Sequence, residues 1–327
     1  MTRFFMPDAT LDKAQRIEAI DKQFEDFLSS DAFKRCLSVL EIEESSIQEI
    51  YAALEAYNTR KGIDGQIRES QVAPLNEVLE KNRFILFPIY RELGIVDINK
   101  PRFNDYDHIV LLGGSANSNF DKTLAAKRFI TDNVVDVSAL ASFRPIPPGE
   151  LRRMSSDRKL GYETEFGSFD AAFNCIFSLS ELEDDENNKP YDFPRNINYS
   201  HRIKTYEDSS GRKYRVFASP SSNPEERAGT YDTCVHYMKS FADGEKAKVL
   251  VITNNQYCNY QFIPFMLSIL ENDKCKVDMD IIGCSDDDNL ASSKEYNSNQ
   301  YYGDIRSMIE WIIKFKNKFV DKAEKSN

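Results

Sequence analysis

Residues 108–119 read HIVLLGGSANSN, in which an apolar run passes directly into two glycines and then into small polar side chains. An apolar run without polar alternation is typical of a strand that is covered on both faces of a parallel sheet. The pair Gly113 and Gly114 allows positive backbone φ and a close backbone approach where the strand ends. Residues 121–130 are predicted to form the helix that follows.

A strand, a glycine turn and a helix in this order bring backbone N–H groups and the positive end of a helix dipole to one place, which favours an anionic or carboxylate-bearing ligand. The sequence matches neither the G-x-G-x-x-G fingerprint nor the G-x-x-x-x-G-K-[ST] phosphate loop. A tight turn without a ligand is the alternative. The residues of this candidate ligand loop are Gly113, Gly114, Ser115, Ala116 and Asn117.

Length and composition set outer limits on the function. The 327 residues suit one main domain with an accessory region. A net charge of −11 argues against nucleic acid as a partner, because phosphate binding relies on clustered Lys and Arg.

The six cysteines stand singly, without C-x-x-C pairs, so we predict no metal site of that type. No apolar run approaches the ~20 residues of a membrane span, and we expect a cytoplasmic protein without a membrane partner.

Residues 1–104 are predicted to be a helical region. Apolar side chains recur there at helical spacing, and Ser46 with Glu49 has the pattern of a capping box. A longer helix is predicted over 72–93, with Pro74 and Pro88 limiting or kinking it. We assign the aromatic side chains of this region to a packed core.

Residues 105–327 alternate between strand and helix patterns, which predicts an α/β domain with a mostly parallel five-stranded sheet and helices on both faces. The predicted strands are residues 109–112, 134–143, 214–218, 248–253 and 277–282. The predicted later helices are residues 166–179, 225–241, 262–270 and 305–319. A polar insertion at about 180–211 is longer than an ordinary connection and is predicted to be a surface loop or a lid.

Ligands of such sheets bind beyond the carboxyl ends of the strands. The polar residues that follow the third and fourth predicted strands are therefore candidates, and they are Thr230, Asp232, Thr253, Asn254, Asn255 and Tyr257. A turn is the alternative role for the two adjacent Asn residues, whereas helix capping explains Thr230 and Asp232 less easily. Glu163 and Glu165 stand two residues apart, a spacing that puts both on one face of an extended segment. They are candidates for acid–base chemistry, with charge at a helix start as the alternative. Three successive carboxylates at residues 286–288 are interpreted as an exposed acidic loop.

The order of these motifs resembles the YdcF/SanA/ElyC family of bacterial proteins. The matching segments are Leu112-Gly113-Gly114, Glu163 or Glu165, residues 229–233 (GTYDT) and residues 252–257 (ITNNQY). The resemblance covers about 105–283. It implies a Rossmann-like three-layer sandwich and nucleotide-like ligands, including S-adenosylmethionine as a cofactor.

The chain departs from that family at several positions. Gly229 and Thr233 stand where the family has Asn, Tyr257 stands where its His is expected, and Tyr260 lies near its Arg. A phosphate contact of the family's kind would have to come from other cations, and the candidates are Lys122, Lys127, Arg128, Arg144 and Arg227.

Two functions remain open from the sequence. The first is a small-molecule-binding enzyme, a transferase or hydrolase acting at a phosphate or carboxyl centre of a nucleotide-like or S-adenosylmethionine-like anionic ligand. In this hypothesis the glycine loop and Lys122 bind the anion, and Asp232, Glu163 or Glu165 is the general base. The second is a non-catalytic ligand sensor or scaffold that binds a protein partner through residues 1–104.

Overall fold

The structure is a computed structural model and describes residues 3–56, 77–97, 99–152, 154–187, 200–223, 225–272, 274–284 and 298–321. The chain forms two compact units. The first comprises Met1–Ile98, Asn255–Ile263 and Asp288–Asn327, and the second comprises Asn99–Asn254 and Pro264–Asp287. Within the described residues, no helix combines the length and the apolar character that crossing a membrane requires.

The beginning of the chain is helical in its described residues, as the periodicity predicts. Its helices are α1 (Lys13–Ser29), α2 (Asp31–Val39), α3 (Ile47–Ala56), α4 (Glu77–Lys81) and α5 (Arg83–Glu92). The predicted capping box is confirmed, because Glu49 N–H donates to Ser46 Oγ and Ser46 N–H donates to Glu49 Oε2, both at 3.3 Å. The single helix predicted over 72–93 is wrong, since α4 and α5 meet at Asn82. Pro74 lies outside the described residues.

The second unit is built on a seven-stranded mixed sheet rather than the predicted five strands. Its strands are β1 (His108–Leu112), β2 (Asp136–Ala141), β3 (Ser180–Asn187), β4 (His201–Glu207), β5 (Lys213–Ala218), β6 (Lys246–Asn254) and β7 (Lys276–Cys284). Their order is β3-β4-β5-β2-β1-β6-β7. The five predicted strands are present and mutually parallel, and β3 and β4 extend the sheet in antiparallel pairing.

The interpretation of residues 180–211 as a surface loop or lid is therefore wrong, because β3 and β4 lie in this segment. The strands escape recognition because β3 is an exposed edge strand and β4 beside it is only partly buried, so both carry charged side chains instead of an apolar run. These charged side chains contact the helix that residues 165–176 form. The Arg202 guanidinium lies 5.3 Å from the centre of the Phe166 ring, and Lys204 Nζ lies 3.4 Å from an Asp170 oxygen.

Helices cover both faces of the sheet. They are α6 (Ala116–Lys127), α7 (Pro148–Arg152), α8 (Glu165–Ile176), α9 (Thr230–Met238) and α10 (Cys258–Glu271). Side chains of α6 and α8 pack in one cluster with the face of β1 that presents Ile109 and Leu111. On the other face, Tyr237 of α9 contacts Phe217 and Phe265, with ring centres 5.9 and 6.2 Å apart.

The strand order places a change of direction next to β1. From β1 the chain proceeds to β2 and β5 on one side, and it later returns to form β6 and β7 on the other side. In open α/β sheets, the crevice between two strands related in this way is the usual ligand site. The carboxyl ends of β1 and β6 are therefore the expected position of a site.

The last helix, α11 (Ser298–Phe315), groups with the N-terminal helices, although the sequence analysis assigns it to the α/β region. Phe315 packs edge-on against Phe24 of α1 with ring centres 5.1 Å apart. Tyr302 donates a hydrogen bond to the Leu54 carbonyl, and Arg306 pairs with Glu55. Helical periodicity identifies the buried face of a helix but carries no information about its packing partner.

We predict that Asp136→Asn destabilises the protein by about 3 kcal/mol at pH 7, because it leaves the Arg215 charge unpaired in a largely buried site. Asp136 Oδ2 accepts from Arg215 Nε at 2.7 Å. Burial alone raises the pKa of Asp136, but His108 and Arg215 outweigh burial and lower the pKa below its ordinary 3.8. The carboxylate thus contributes stability above about pH 4, and that contribution disappears as the pH falls through the lowered pKa.

Urea unfolding of both proteins at pH 7 and pH 3 measures this difference. Glu207→Gln is the control, because it breaks a more exposed ion pair with Lys213 and should cost no more than about 1 kcal/mol. Equal effects of the two substitutions at pH 7 would contradict a structural role for the buried pair.

Candidate functional site

The loop between β1 and α6 contains the two glycines because neighbouring side chains occupy the space beside their Cα atoms. A Cβ on Gly113 would stand 2.7 Å from Glu165 Oε1 and 3.0 Å from the Leu140 carbonyl oxygen. A Cβ on Gly114 would stand 2.7 Å from Lys122 Nζ. Neither glycine has positive φ, so that part of the sequence prediction is wrong. Close approach is the reason for glycine here.

Lys122 lies under this loop with no exposed surface. Its Nζ donates to the Leu112 carbonyl oxygen at 2.7 Å. Burial lowers the pKa of Lys122 to about 8, while Cys284, Glu165 and Asp121 partly oppose that shift. The side chain therefore still carries a positive charge at neutral pH, directly beneath the loop.

A second cation, Arg144, orients the loop. Its Nη2 donates to the Gly114 carbonyl oxygen at 2.7 Å. Because a trans peptide is planar, the N–H of Ser115 points opposite to the Gly114 carbonyl and so away from Arg144. Ser115 also caps α6, its Oγ accepting from Ser118 N–H at 3.3 Å. The N–H groups of Ala116 and Asn117 follow in the first turn, where a helix offers them no acceptor. The loop thus directs the Ser115 N–H away from the Arg144 guanidinium that holds it.

Glu165 supplies a buried carboxyl group beside Gly113. Its Oε2 accepts from Ser142 N–H at 3.0 Å and from Ser142 Oγ at 2.9 Å. Its Oε1 lies 3.9 Å from Arg144 Nε. Burial raises the pKa of Glu165 above its ordinary value, and Arg144 and Ser142 oppose the shift. A carboxyl group with a raised pKa can exchange a proton at a higher pH than a surface glutamate.

Asn119 adds an acceptor to the same place. Its Nδ2 donates to Ser168 Oγ at 2.8 Å, and Ser168 Oγ donates its own hydrogen to the Glu165 carbonyl at 2.7 Å. The Ser168 hydroxyl has one hydrogen, which it donates to the Glu165 carbonyl, so it accepts from Asn119. The nitrogen of the Asn119 amide therefore faces Ser168, and the amide oxygen faces away from it. Asn119 Oδ1 is consequently left buried, without a hydrogen-bond partner among the described residues, and 3.8 Å from the position of a Gly114 Cβ. Such an oxygen calls for a donor from a ligand or a water molecule.

The carboxyl end of β6 lies next to this loop, because β6 pairs with β1. Thr253 is fully buried there, and Asn254 is partly exposed. Asn254 pairs in register with Cys284 of β7, and the Cys284 Sγ lies 3.7 Å from Asn254 Oδ1. Of the predicted site, the structure therefore brings together the glycine loop, Lys122, Glu165, Thr253 and Asn254.

Other predicted residues lie elsewhere in the second unit. Glu163 is exposed, so the idea that it shares one environment with the buried Glu165 is wrong. Thr230 begins α9, on the opposite face of the sheet from α6. Asp232 caps that helix, with its oxygens accepting from Gly229 N–H at 2.9 Å and Ser222 N–H at 3.1 Å. The expectation that capping explains Asp232 poorly is therefore wrong, because its carboxylate caps α9 in this structure.

The remaining candidates fall into three groups. Asn255 and Tyr257 form a short 3-10 turn that belongs to the first unit. Lys127, Arg128 and Arg227 are exposed, and of the proposed phosphate contacts only Lys122 and Arg144 adjoin the loop. The acidic residues 286–288 lie outside the described residues. In the part of the chain that is described, no group of three or more His, Cys, Asp or Glu side chains is placed to hold a metal ion.

Two residues of the cluster were absent from the sequence analysis. Ser142 follows β2 directly and binds Glu165, and Asn119 occupies the second turn of α6. The position of Ser142 at a strand end was a usable signal, because the same rule selected the residues after β1 and β6. The burial of Asn119 had no signal, since a polar residue on an amphipathic helix is normally assigned to the solvent side.

No protein-family model, curated protein or solved structure matches this chain.

We predict that Gly113→Ala destabilises the protein by about 2 kcal/mol, because the added methyl group overlaps the Leu140 carbonyl and displaces Glu165. The matched control is Gly149→Ala in α7, where the nearest atom to an added Cβ is Arg152 Nη2 at 3.9 Å. That control should be neutral or slightly stabilising, since Gly is a poor helix former. Thermal unfolding compares them. If both variants unfold like the wild type, the close packing at Gly113 is disproved.

We also predict that Lys122→Met stabilises the protein by about 2 kcal/mol at pH 7, because it removes a buried charge. The pKa of Lys122 is about 8 in the folded chain and 10.5 when unperturbed. The penalty is complete below pH 8, decreases as the folded protein loses the proton first, and vanishes above about pH 10.5. The stabilisation should therefore shrink between pH 7 and pH 10. Lys127→Met, on the exposed side of the same helix, should show no such pH dependence in urea unfolding.

Proposed function

We propose that the second unit binds a small anionic molecule at the carboxyl ends of β1 and β6. The observation that carries this proposal is the buried Lys122 ammonium beneath Gly114, at the start of a helix whose first N–H groups lack intrahelical acceptors. Burying an ammonium costs stability unless a negative group compensates it. A bound phosphate or carboxylate group would supply that compensation.

The ligand class we propose is nucleotide-like or S-adenosylmethionine-like. Backbone N–H groups of Ser115, Ala116 and Asn117 suit phosphate or carboxylate oxygens. The unpartnered Asn119 Oδ1 suits a donor such as an amino or hydroxyl group of the same ligand or an ordered water. The proposed relationship to the YdcF-like family rests on the motif order alone.

For chemistry, we propose transfer or hydrolysis at a phosphate or carboxyl centre, with Glu165 as the general base. Its raised pKa and its place beside Gly113 favour it over Asp232, whose two oxygens are already occupied in capping α9. A sensor or scaffold that binds the same ligand without reaction is the second candidate. It is favoured by Tyr257, which stands where the family's His is expected.

Thermal-shift measurements with AMP, S-adenosylmethionine and inorganic pyrophosphate test the binding site. We expect at least one anionic probe to raise the melting temperature of the wild type, because a ligand that binds only the folded state stabilises it. Lys122→Met should bind that probe at least tenfold more weakly, although the free variant is the more stable protein. Lys127→Met should bind it like the wild type. The proposal fails if no probe stabilises the wild type or if Lys122→Met binds equally well.

A further inference from the structure

Two of the three histidines of the chain lie in contact, although one belongs to a strand and the other to a helix. His201 begins β4, and His236 lies in the last turn of α9. Their ring centres are 5.7 Å apart. Phe217 of β5 also contacts His236, with ring centres 6.0 Å apart. The second unit thus brings two imidazoles together on the face of the sheet that α9 covers.

The imidazole of His236 has both of its nitrogens buried. Neither Nδ1 nor Nε2 has a hydrogen-bond partner among the described residues. A neutral imidazole carries one N–H donor and one acceptor nitrogen, so two polar atoms of this ring are unsatisfied. Because buried polar groups are nearly always paired, the ring calls for a partner that the described residues do not supply.

A buried hydroxyl group lies on the same face of the sheet. Ser219 Oγ has no hydrogen-bond partner in the part of the chain that the structure describes. Ser219 extends β5, because its N–H donates to the Ala141 carbonyl oxygen at 3.2 Å. Side chains two residues apart on a strand share one face, so Ser219 lies on the face of Phe217, which contacts His236. Unsatisfied polar atoms therefore occur at the end of β5 as well as on α9.

The protonation state of His236 suits a metal ligand. Burial lowers the pKa of His236 to about 4, and Lys239 and His201 act in the same direction. The ring is therefore neutral at pH 7 and retains a lone pair on one nitrogen. Metal ions bind the neutral form of imidazole, so binding to this ring at neutral pH does not have to displace a proton.

We infer that His201 and His236 together bind one divalent transition-metal ion of the zinc, copper and nickel class, with water completing its coordination. Imidazole is a ligand that suits these ions. Two imidazoles that bind one ion through bonds of about 2.0–2.1 Å have their ring centres roughly 5 to 6 Å apart. The separation of 5.7 Å between the two rings agrees with that requirement.

The site has two protein ligands and is therefore open. This agrees with the described part of the chain, in which no group of three or more His, Cys, Asp or Glu side chains is placed to hold a metal ion. Water or a small ligand fills the remaining positions of such an ion. The inference is independent of the proposed function, because these histidines lie on the α9 face of the sheet and Lys122 belongs to α6 on the other face.

Calorimetric titration of the full chain with zinc chloride at neutral pH tests the site. We expect one zinc ion per chain with a micromolar dissociation constant, and no binding of Mg²⁺, which prefers oxygen ligands. His236→Phe should weaken zinc binding at least tenfold. With EDTA present, this variant should melt at or above the temperature of the wild type, because it replaces two unsatisfied nitrogens with an apolar ring edge beside Phe217. Unfolding then does not explain the lost binding.

Two further variants and a spectrum complete the test. His201→Gln should weaken zinc binding as His236→Phe does. His108→Gln changes the third histidine of the chain and should bind zinc like the wild type, with thermal unfolding as the check that it is folded. The electron paramagnetic resonance spectrum of bound Cu²⁺ should show coupling to two nitrogen nuclei. The inference is wrong if the wild type binds no zinc, if either His236→Phe or His201→Gln binds it equally well, or if the second nitrogen coupling is missing.

Discussion

The charge of Lys122 lies where a folded protein normally places an apolar side chain, and the surrounding structure is arranged to accommodate it. The ammonium has no exposed surface and bonds the carbonyl of Leu112, the last residue of β1. Gly114 must lack a side chain so that Nζ can approach the loop, and Gly113 must lack one so that Glu165 can approach from the other side. Two positive and two negative groups thus fill the space under one loop, with Arg144 and Glu150 completing the set. The cost of burying such charges is compensated only when each finds a partner of good geometry.

The consequence for the loop is a fixed orientation of its peptide groups. Lys122 holds the Leu112 carbonyl oxygen and Arg144 holds the Gly114 carbonyl oxygen, so the N–H of Ser115 points away from Arg144. Backbone donors held in this manner would need no rearrangement to meet the anion of the proposed function, which would limit the entropic cost of binding. This loop also follows β1, the strand from which the chain connections run in opposite directions along the sheet. The buried charges, the orientation of the backbone and the strand order therefore all indicate the same edge of the sheet as the expected position of a site.

Several features were accessible from the sequence because they are local. The apolar run of β1, the capping box at Ser46 and the alternation of strands and helices each depend on residues close together in the chain. The strands β3 and β4 were missed, because β3 is exposed at the edge of the sheet and β4 is only partly buried, which removes the apolar signal. For the glycine pair, the sequence predicted both positive φ and a close approach. Only the close approach is found, and its partners lie 8 and 52 positions away, Lys122 from Gly114 and Glu165 from Gly113.

The sequence by itself determined the parallel α/β core, the helical beginning and the loop at which the chain presents backbone donors. Burial and long-range contacts decided the rest. They placed Glu165 and Lys122 under the loop, where burial shifts the pKa of each side chain in favour of its neutral form. They left Asp232 as a helix cap and Glu163 in solvent, and they grouped the last helix with the first ones. The reason is that pKa and partner choice depend on the local dielectric environment and on neighbours in space, and neither quantity is written in the spacing of residues along a chain.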